Sequence, residues 1–247
     1  YQEYRTIQDI LDSPEERHNK QFLENLRIEY SAAIEKSQDQ LIKDLEKIGK
    51  KLKSGKLQEF EFSGLSIFNF DRHLYNPLIH VKKGSVGIHI RPTRLNKNEK
   101  QFIIDMKAWC ERERDTFLKN KELYVLRNQS RGKGISFFDE GNFYPDFILW
   151  LISGNHQYIS FADPHGLQYA RSFSDSKILF SERIKEIEDR LKDDTVTLNS
   201  FIISPTRFND IKHWHGRATK DEFSEYHVFF MYDDAETYVQ SIFNRMR

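Results

Sequence analysis

The sequence predicts an α/β protein whose C-terminal part is a mixed β-sheet flanked by helices, preceded by a helical arm and a small β element. Apolar residues recur at helical spacing near positions 100 and 185. Between and after these helices lie short runs rich in aromatic and β-branched residues, which are typical of strands. The expected order is helix, three strands, helix and strand, followed by one more strand and a closing helix.

The composition excludes several classes of protein. The 247-residue chain carries 38 basic and 38 acidic side chains, so no overall field favours nucleic acid or a membrane, although a local basic groove suffices for DNA. A single cysteine excludes a disulfide framework and fits a reducing compartment. No apolar run approaches the roughly 20 residues that span a bilayer. These features predict a soluble cytoplasmic protein without a membrane partner.

Residues 1–56 are polar and strongly charged, and we expect them to form a helical arm. Apolar residues recur there at heptad-like spacing, at Ile34, Leu41, Leu45, Ile48 and Leu52. Such an arm can dock a partner or join copies of the chain into an oligomer. Because the first residue is not Met, we expect the chain to be a piece of a longer polypeptide.

Residues 57–95 predict a small β element that links the arm to the main domain. The runs LQEFEFSGLSIF and HLYNPLIHVKKGSVGIHI alternate apolar and polar residues and are interrupted by Gly and Asn-Pro. The Val81-Lys82-Lys83-Gly84-Ser85-Val86 segment predicts a hairpin turn between two of these short strands.

Residues 96–247 predict the main domain. Its first helix is expected over residues 97–119, with Glu99 in the first turn. The strands are expected at ELYVLRN, DFILWL, QYISFA, TVTLNSFIIS and EYHVFFMY, and the closing helix at AETYVQSIFNRM. The second helix carries Ile184, Ile187 and Leu191 on one face.

Two aspartates bracket a pair of these strands. Asp146 follows Pro145 where a strand begins, and Asp163 ends the next strand. If the strands are neighbours, both carboxylates lie at one end of the sheet. Two close carboxylates repel each other and are best tolerated around a hard divalent cation, which also activates water for phosphodiester cleavage. From spacing alone, ordinary strand-end aspartates are the commoner explanation.

Longer stretches of the sequence favour a metal site at these two aspartates. Pro145-Asp146, followed by Asp163-Pro164-His165, resembles the signature of the PD-(D/E)xK nucleases, with histidine in the position of the lysine. The segments ELYVLRNQSRGKGISFF, GNFYPDFILWL, ISFADPHGL and TLNSFIISPT are similar to the C-terminal nuclease region of type III restriction-like, DEAD/DEAH helicase-associated proteins. That family has DPKG where this chain has DPHG, and the similarity covers about residues 75–243.

The resemblance implies a PD-(D/E)xK fold and a metal-dependent DNA endonuclease domain of a restriction or phage-defence system. It implies that Asp146 and Asp163 ligate Mg²⁺ or Mn²⁺, and that Glu99 completes the catalytic site. A glutamate near a helix N-terminus is also favoured by the helix dipole, so Glu99 has an equally good structural explanation.

His165 departs from the family pattern. A lysine there would be a fixed cation, whereas histidine, with an unperturbed pKa of about 6.5, is mostly uncharged at neutral pH. It can act as a general base on metal-bound water, ligate the metal, or mark a site with weakened cleavage. A lysine from elsewhere, Lys133 or Lys185, can also fill the role. The sequence predicts that H165K raises Mg²⁺-dependent cleavage.

The segment RNQSRGKG supplies Arg127, Arg131 and Lys133, which we expect to contact DNA phosphates. No GxxxxGK[ST] phosphate loop occurs in the 247 residues, so a helicase or ATPase motor would lie elsewhere on a longer chain or on a partner subunit. The alternative function is a catalytically weakened, nuclease-like module for DNA binding or assembly.

Overall fold

A computed structural model of the chain describes residues 95–128, 137, 143–168, 170, 172–211 and 218–247, together with five short strands before residue 95 and isolated positions there. The chain forms two compact units, Tyr1–Lys100 and Gln101–Arg247. The boundary between the units therefore falls inside the helix that was predicted to open the main domain.

The first unit contains two small antiparallel sheets. The first is a pair of strands, β1 (Arg27–Tyr30) and β5 (Ile88–Arg91). The second has three strands in the order β2 (Phe60–Phe62), β3 (Leu65–Phe68) and β4 (Leu78–Val81). Strands are thus present in the region predicted to be a small β element.

Two predictions for this unit are wrong. Arg27–Tyr30 is a strand inside the segment predicted to be a helical arm, where Ile28 and Tyr30 alternate with charged residues. The predicted hairpin does not join β4 to β5, because β4 pairs with β3 and β5 pairs with β1. Lys43 and Lys47 are helical, and the remainder of the predicted arm lies outside the described residues.

The second unit is built on a five-stranded mixed sheet in the order β10-β9-β8-β7-β6. Its strands are β6 (Lys121–Arg127), β7 (Phe147–Ser153), β8 (His156–Asp163), β9 (Val196–Ser204) and β10 (Val228–Phe230). β6, β7 and β8 are antiparallel, and β8, β9 and β10 run parallel. The predicted α/β class with a mixed sheet is confirmed.

Helices connect and flank these strands. They are α1 (Lys97–Arg112), α2 (Ser176–Leu191), α3 (Lys220–Glu225) and α4 (Tyr238–Arg245), with a short 3₁₀ turn at Phe208–Asp210. The predicted order of helix, three strands, helix and strand is confirmed, as are the further strand and the closing helix. Among the described residues, no helix has the length and apolar character that a membrane span requires.

Helix α1 ends earlier than predicted. Its apolar residues face the core as the spacing indicated, with Phe102, Ile103, Met106 and Trp109 all buried. Residues 113–120 form turns instead of the predicted helical continuation. The polar run from Glu113 to Thr116 offers no apolar face to bury, and Asn120 then adopts a left-handed conformation with φ of 58°.

Helices cover both faces of the sheet. On one face, Phe102 of α1 packs on Phe147 of β7 with ring centroids 5.4 Å apart. On the other face, Phe161 of β8 contacts Phe137, which in turn contacts Phe180 of α2. Phe147 and Phe161 lie on opposite faces because the register pairs Phe161 with the residue after Phe147. The side chains that share a face with Phe161 therefore lie under α2.

Candidate functional site

The strand register brings Asp146 and Asp163 together. β7 and β8 are antiparallel neighbours whose ladder ends with Phe147 opposite Ala162. Asp146 directly precedes Phe147, and Asp163 directly follows Ala162. The two aspartates therefore lie at the same end of neighbouring strands, and we call them the acidic pair.

Hydrogen bonds from the end of β6 hold Asp146 in this register. The Asn128 N–H donates to the Asp146 carbonyl at 2.9 Å, which extends the β6–β7 ladder by one step. The buried Asn128 amide also donates from Nδ2 to the Pro145 carbonyl at 2.8 Å. The Asp146 side chain keeps 28% of its surface exposed. Its backbone is thus fixed while its carboxylate remains accessible.

Arg127 reinforces the same segment. Its Nη1 donates to the carbonyl of Asp146 at 3.1 Å and to that of Asn128 at 2.7 Å, and it lies 3.8 Å from Asp146 Oδ1. The guanidinium lies over the Phe147 ring, and only 16% of the side chain is exposed. These contacts make Arg127 a positioning residue for Asp146, and DNA contact through it stays a prediction. Arg131 and Lys133 lie outside the described residues.

Asp163 is paired with a lysine that sequence reasoning missed. Only 3% of the Asp163 surface is exposed, and Lys177 Nζ donates to its Oδ2 at 3.0 Å. Lys177 lies in the first turn of α2, whose N-cap is Asp175, and its N–H donates to Asp175 Oδ1 at 3.0 Å. Helix α2, which follows β8 in the chain, therefore places the Lys177 ammonium at the end of β8.

Of the two lysines proposed from the sequence, only Lys185 lies within the described residues, and its ion-pair partner is not Asp163. Lys185 lies eight residues beyond Lys177 in α2 and pairs with Glu188 at 2.9 Å, and Lys133 is outside the described residues. One sequence signal for Lys177 was available: the first turn of α2 contains a lysine and no acidic residue. A cation there opposes the helix dipole, which suggests a specific partner.

His165 lies beside this ion pair. Its N–H donates to the Asp163 carbonyl at 2.8 Å, and the residue is exposed. Desolvation by the surrounding protein lowers the pKa of the His165 imidazole, and the Lys177 ammonium lowers it further, against smaller opposing effects from Asp163 and Asp175. The imidazole is therefore neutral at pH 7 and able to accept a proton.

Glu99 makes the contacts of a helix cap. The side chain is buried, and its carboxylate accepts from the Asn96 N–H at 2.9 Å and from Asn96 Nδ2 at 2.8 Å. Asn96 Oδ1 in turn accepts from the Glu99 N–H at 3.0 Å. This reciprocal arrangement is a capping box, which stabilises the start of α1. A metal-binding role for Glu99 stays a prediction.

The acidic pair has the donor chemistry for a hard divalent ion. Mg²⁺ is commonly bound through one or two protein carboxylates, with water and phosphate oxygens completing its octahedron. Asp146 and Asp163 supply two carboxylates of this kind. Within the ranges that the structure describes, no three His, Cys, Asp or Glu side chains form a group that could hold a metal.

Fold and site together define an α/β unit with two carboxylates and one lysine at the end of a mixed sheet. No family model, no curated protein and no solved structure matches this chain. A functional proposal therefore rests on the geometry of the acidic pair and on the motif that contains it.

Proposed function

We propose that the second unit is a metal-dependent endodeoxyribonuclease domain of the PD-(D/E)xK type. The observation that carries the proposal is the antiparallel pairing of β7 and β8, which puts Asp146 and Asp163 at the same end of neighbouring strands. The order of elements and the sequence motif that contains both aspartates support it. A neutral histidine and a lysine beside the pair add a proton acceptor and a cation.

The site residues support phosphodiester hydrolysis in distinct ways. Asp146 and Asp163 would hold Mg²⁺ or Mn²⁺. When bound, such an ion polarises a phosphate oxygen and lowers the pKa of an attached water. Arg127 and Asn128 keep Asp146 in place, so the two carboxylates need little reorganisation to bind an ion. The imidazole of His165 can accept a proton from the attacking water as its oxygen bonds to phosphorus. The bond from phosphorus to the leaving deoxyribose oxygen breaks in the same displacement, and that oxygen takes a proton from solvent.

The test is cleavage of plasmid and linear DNA with Mg²⁺ or Mn²⁺ over pH 6 to 9. We expect D146N and D163N to lower the rate by about 100-fold or more while leaving DNA affinity in EDTA unchanged. D189N is the matched control, because Asp189 is an exposed carboxylate on α2. A wild-type protein that is inert with both ions on both DNAs would refute the proposal.

His165 favours a second candidate function, because the family motif has lysine at that position. In this alternative the unit binds DNA or assembles with a partner and cleaves weakly or not at all. The alternative predicts equal DNA affinity for the wild type and D146N, with no cleavage by either. In both cases we propose a restriction or phage-defence setting in which a helicase or ATPase motor is supplied elsewhere.

A further inference from the structure

We propose that Lys177 supplies, from helix α2, the fixed positive charge that the nuclease motif places at the position occupied here by His165. This inference rests on the proposed function and adds a catalytic residue that lies outside the motif. Lys177 is 14 residues from Asp163 in sequence, yet the two side chains are in direct contact. The observations that carry the inference are the position of the ammonium, its restraint, its exposure and the charge balance of the site.

The ammonium lies where the two acid-bearing segments meet. Lys177 Nζ is 3.0 Å from Oδ2 of Asp163, the last residue of β8. It is also 5.3 Å from the centroid of the Phe143 ring, in the segment that enters β7 three residues before Asp146. A single side chain therefore contacts both segments that build the acidic pair.

The Lys177 side chain packs on the Phe143 ring and is partly exposed to solvent. Phe143 is buried and packs edge-on against Phe180 of α2, so the ring beneath the ammonium is itself fixed. The Lys177 side chain keeps 32% of its surface exposed, compared with 5% for that of Asp163. A restrained but accessible ammonium can face a substrate phosphate without reorganising.

The charge balance of the site favours this role. Asp146 and Asp163 contribute two negative charges, and Arg127 and Lys177 contribute one positive charge each. With a divalent ion bound, these four side chains and the ion would carry a net positive charge. Loss of Lys177 would lower that charge by one and would leave Asp163 without its ion-pair partner. The lysine thus makes the loaded site attractive to phosphate and to the charge that develops during hydrolysis.

The placement of Lys177 also violates a local rule. Cations are unfavourable in the first turn of a helix, and the acidic residue at this end of α2 is the N-cap Asp175, which accepts from the Lys177 N–H. The Lys177 ammonium pairs with Asp163 instead. Departures from local preference are expected where function requires a particular side chain.

A charge-relocation experiment tests the inference. K177M should lower the cleavage rate about 100-fold, and the double variant K177M/H165K should recover at least about 10-fold of that loss, because the cation returns at the motif position. H165K alone should not raise the rate, since the site already has its cation. K177R, which keeps a fixed charge, should retain more activity than K177M.

The matched control is K220M. Lys220 also lies in the first turn of a helix, pairs with a carboxylate at 2.7 Å (Asp234) and lies near an aromatic ring, that of Phe230 at 5.8 Å. K220M should cleave at the wild-type rate. Mn²⁺ affinity gives a readout independent of activity: K177M should bind Mn²⁺ a few-fold more tightly than wild type, because a repelling charge has left the acidic pair.

The outcomes separate the inference from the proposed function. Cleavage by K177M at the rate of K220M overturns the inference and leaves the nuclease proposal standing. So does a K177M/H165K variant that is folded and binds Mn²⁺ but is as slow as K177M. An inert wild-type protein overturns both proposals. Slower cleavage by K177M, tighter Mn²⁺ binding by K177M and recovery of cleavage in K177M/H165K support the role of Lys177.

Discussion

His227 makes the stability of the second unit depend on pH. It lies between α3 and β10 in a left-handed conformation with φ of 57°. Its ring stacks on the buried Phe201 at 4.9 Å, and Nδ1 lies 3.1 Å from the Ser200 carbonyl, so Nδ1 carries the hydrogen. Desolvation lowers the pKa of His227 to about 4; the hydrogen bond with the Ser200 carbonyl opposes this shift, and Arg245 and Lys185 add smaller lowering effects.

The sign and size of the effect follow from proton linkage. Between pH 6.5 and about 4 the unfolded chain binds a proton at this histidine and the folded chain does not, so protonation favours unfolding. The stabilisation is fully present above pH 6.5 and is lost as the pH falls toward 4. A difference of 2.5 pH units corresponds to about 3.4 kcal/mol at about 1.36 kcal/mol per unit. Because the ring is partly exposed, we expect a loss of about 2 kcal/mol by pH 4.5.

The assay is urea unfolding of wild type and H227N at pH 7.5, 5.5 and 4.5. Asparagine tolerates the left-handed conformation and does not titrate, so it removes the pH dependence with little backbone strain. The free energy of unfolding should fall more steeply with decreasing pH for the wild type than for H227N. His165, whose pKa is also lowered, remains in both proteins and cancels from the difference. Parallel pH profiles for the two proteins would refute the reasoning.

Three further predictions concern packing and capping. A Cβ at Gly166 would lie 3.3 Å from Thr206 Oγ1, so G166A should lower the free energy of unfolding by about 1 kcal/mol. T206A should relieve part of that loss, and a double-mutant cycle measures this coupling. Phe243 stacks on Trp109 at 4.0 Å and is fully buried, so F243A should cost about 3–5 kcal/mol in urea unfolding, with F243L costing clearly less. Thr219 closes a capping box on α3, so T219A should cost about 1 kcal/mol and T219S almost nothing. Equal stability of T219A and T219S, or of F243A and F243L, would contradict these contacts.

Much of the second unit was predictable because local pattern and tertiary packing agree there. The apolar spacing of α1 and α2 and the strand-like runs gave the element order, and Pro145 marked the start of β7. The chain spacing of Asp146 and Asp163 was enough to expect an acidic pair once the two strands were neighbours. Chemistry that depends on adjacent strands is thus visible in sequence.

Contacts between distant segments were not predictable. Lys177 reaches Asp163 only because the crossover through α2 folds back over the end of β8. The one local signal, a lysine in the first turn of α2, does not indicate which residue it pairs with. Arg127 was expected to contact DNA phosphates, and its hydrogen bond to the backbone of Asp146 was not predictable because it depends on the β6–β7 register. In the first unit, the four residues of β1 are too few for their alternation to outweigh the helical pattern around them.

The most direct test of the acidic pair is a crystal of the chain soaked in Mn²⁺ and measured at the manganese edge. We predict one anomalous peak at the end of β7 and β8, within about 2.1–2.3 Å of a carboxylate oxygen from both Asp146 and Asp163. The same soak of a D146N crystal should lack the peak. A manganese ion that binds elsewhere and contacts neither aspartate would contradict the assignment of this site.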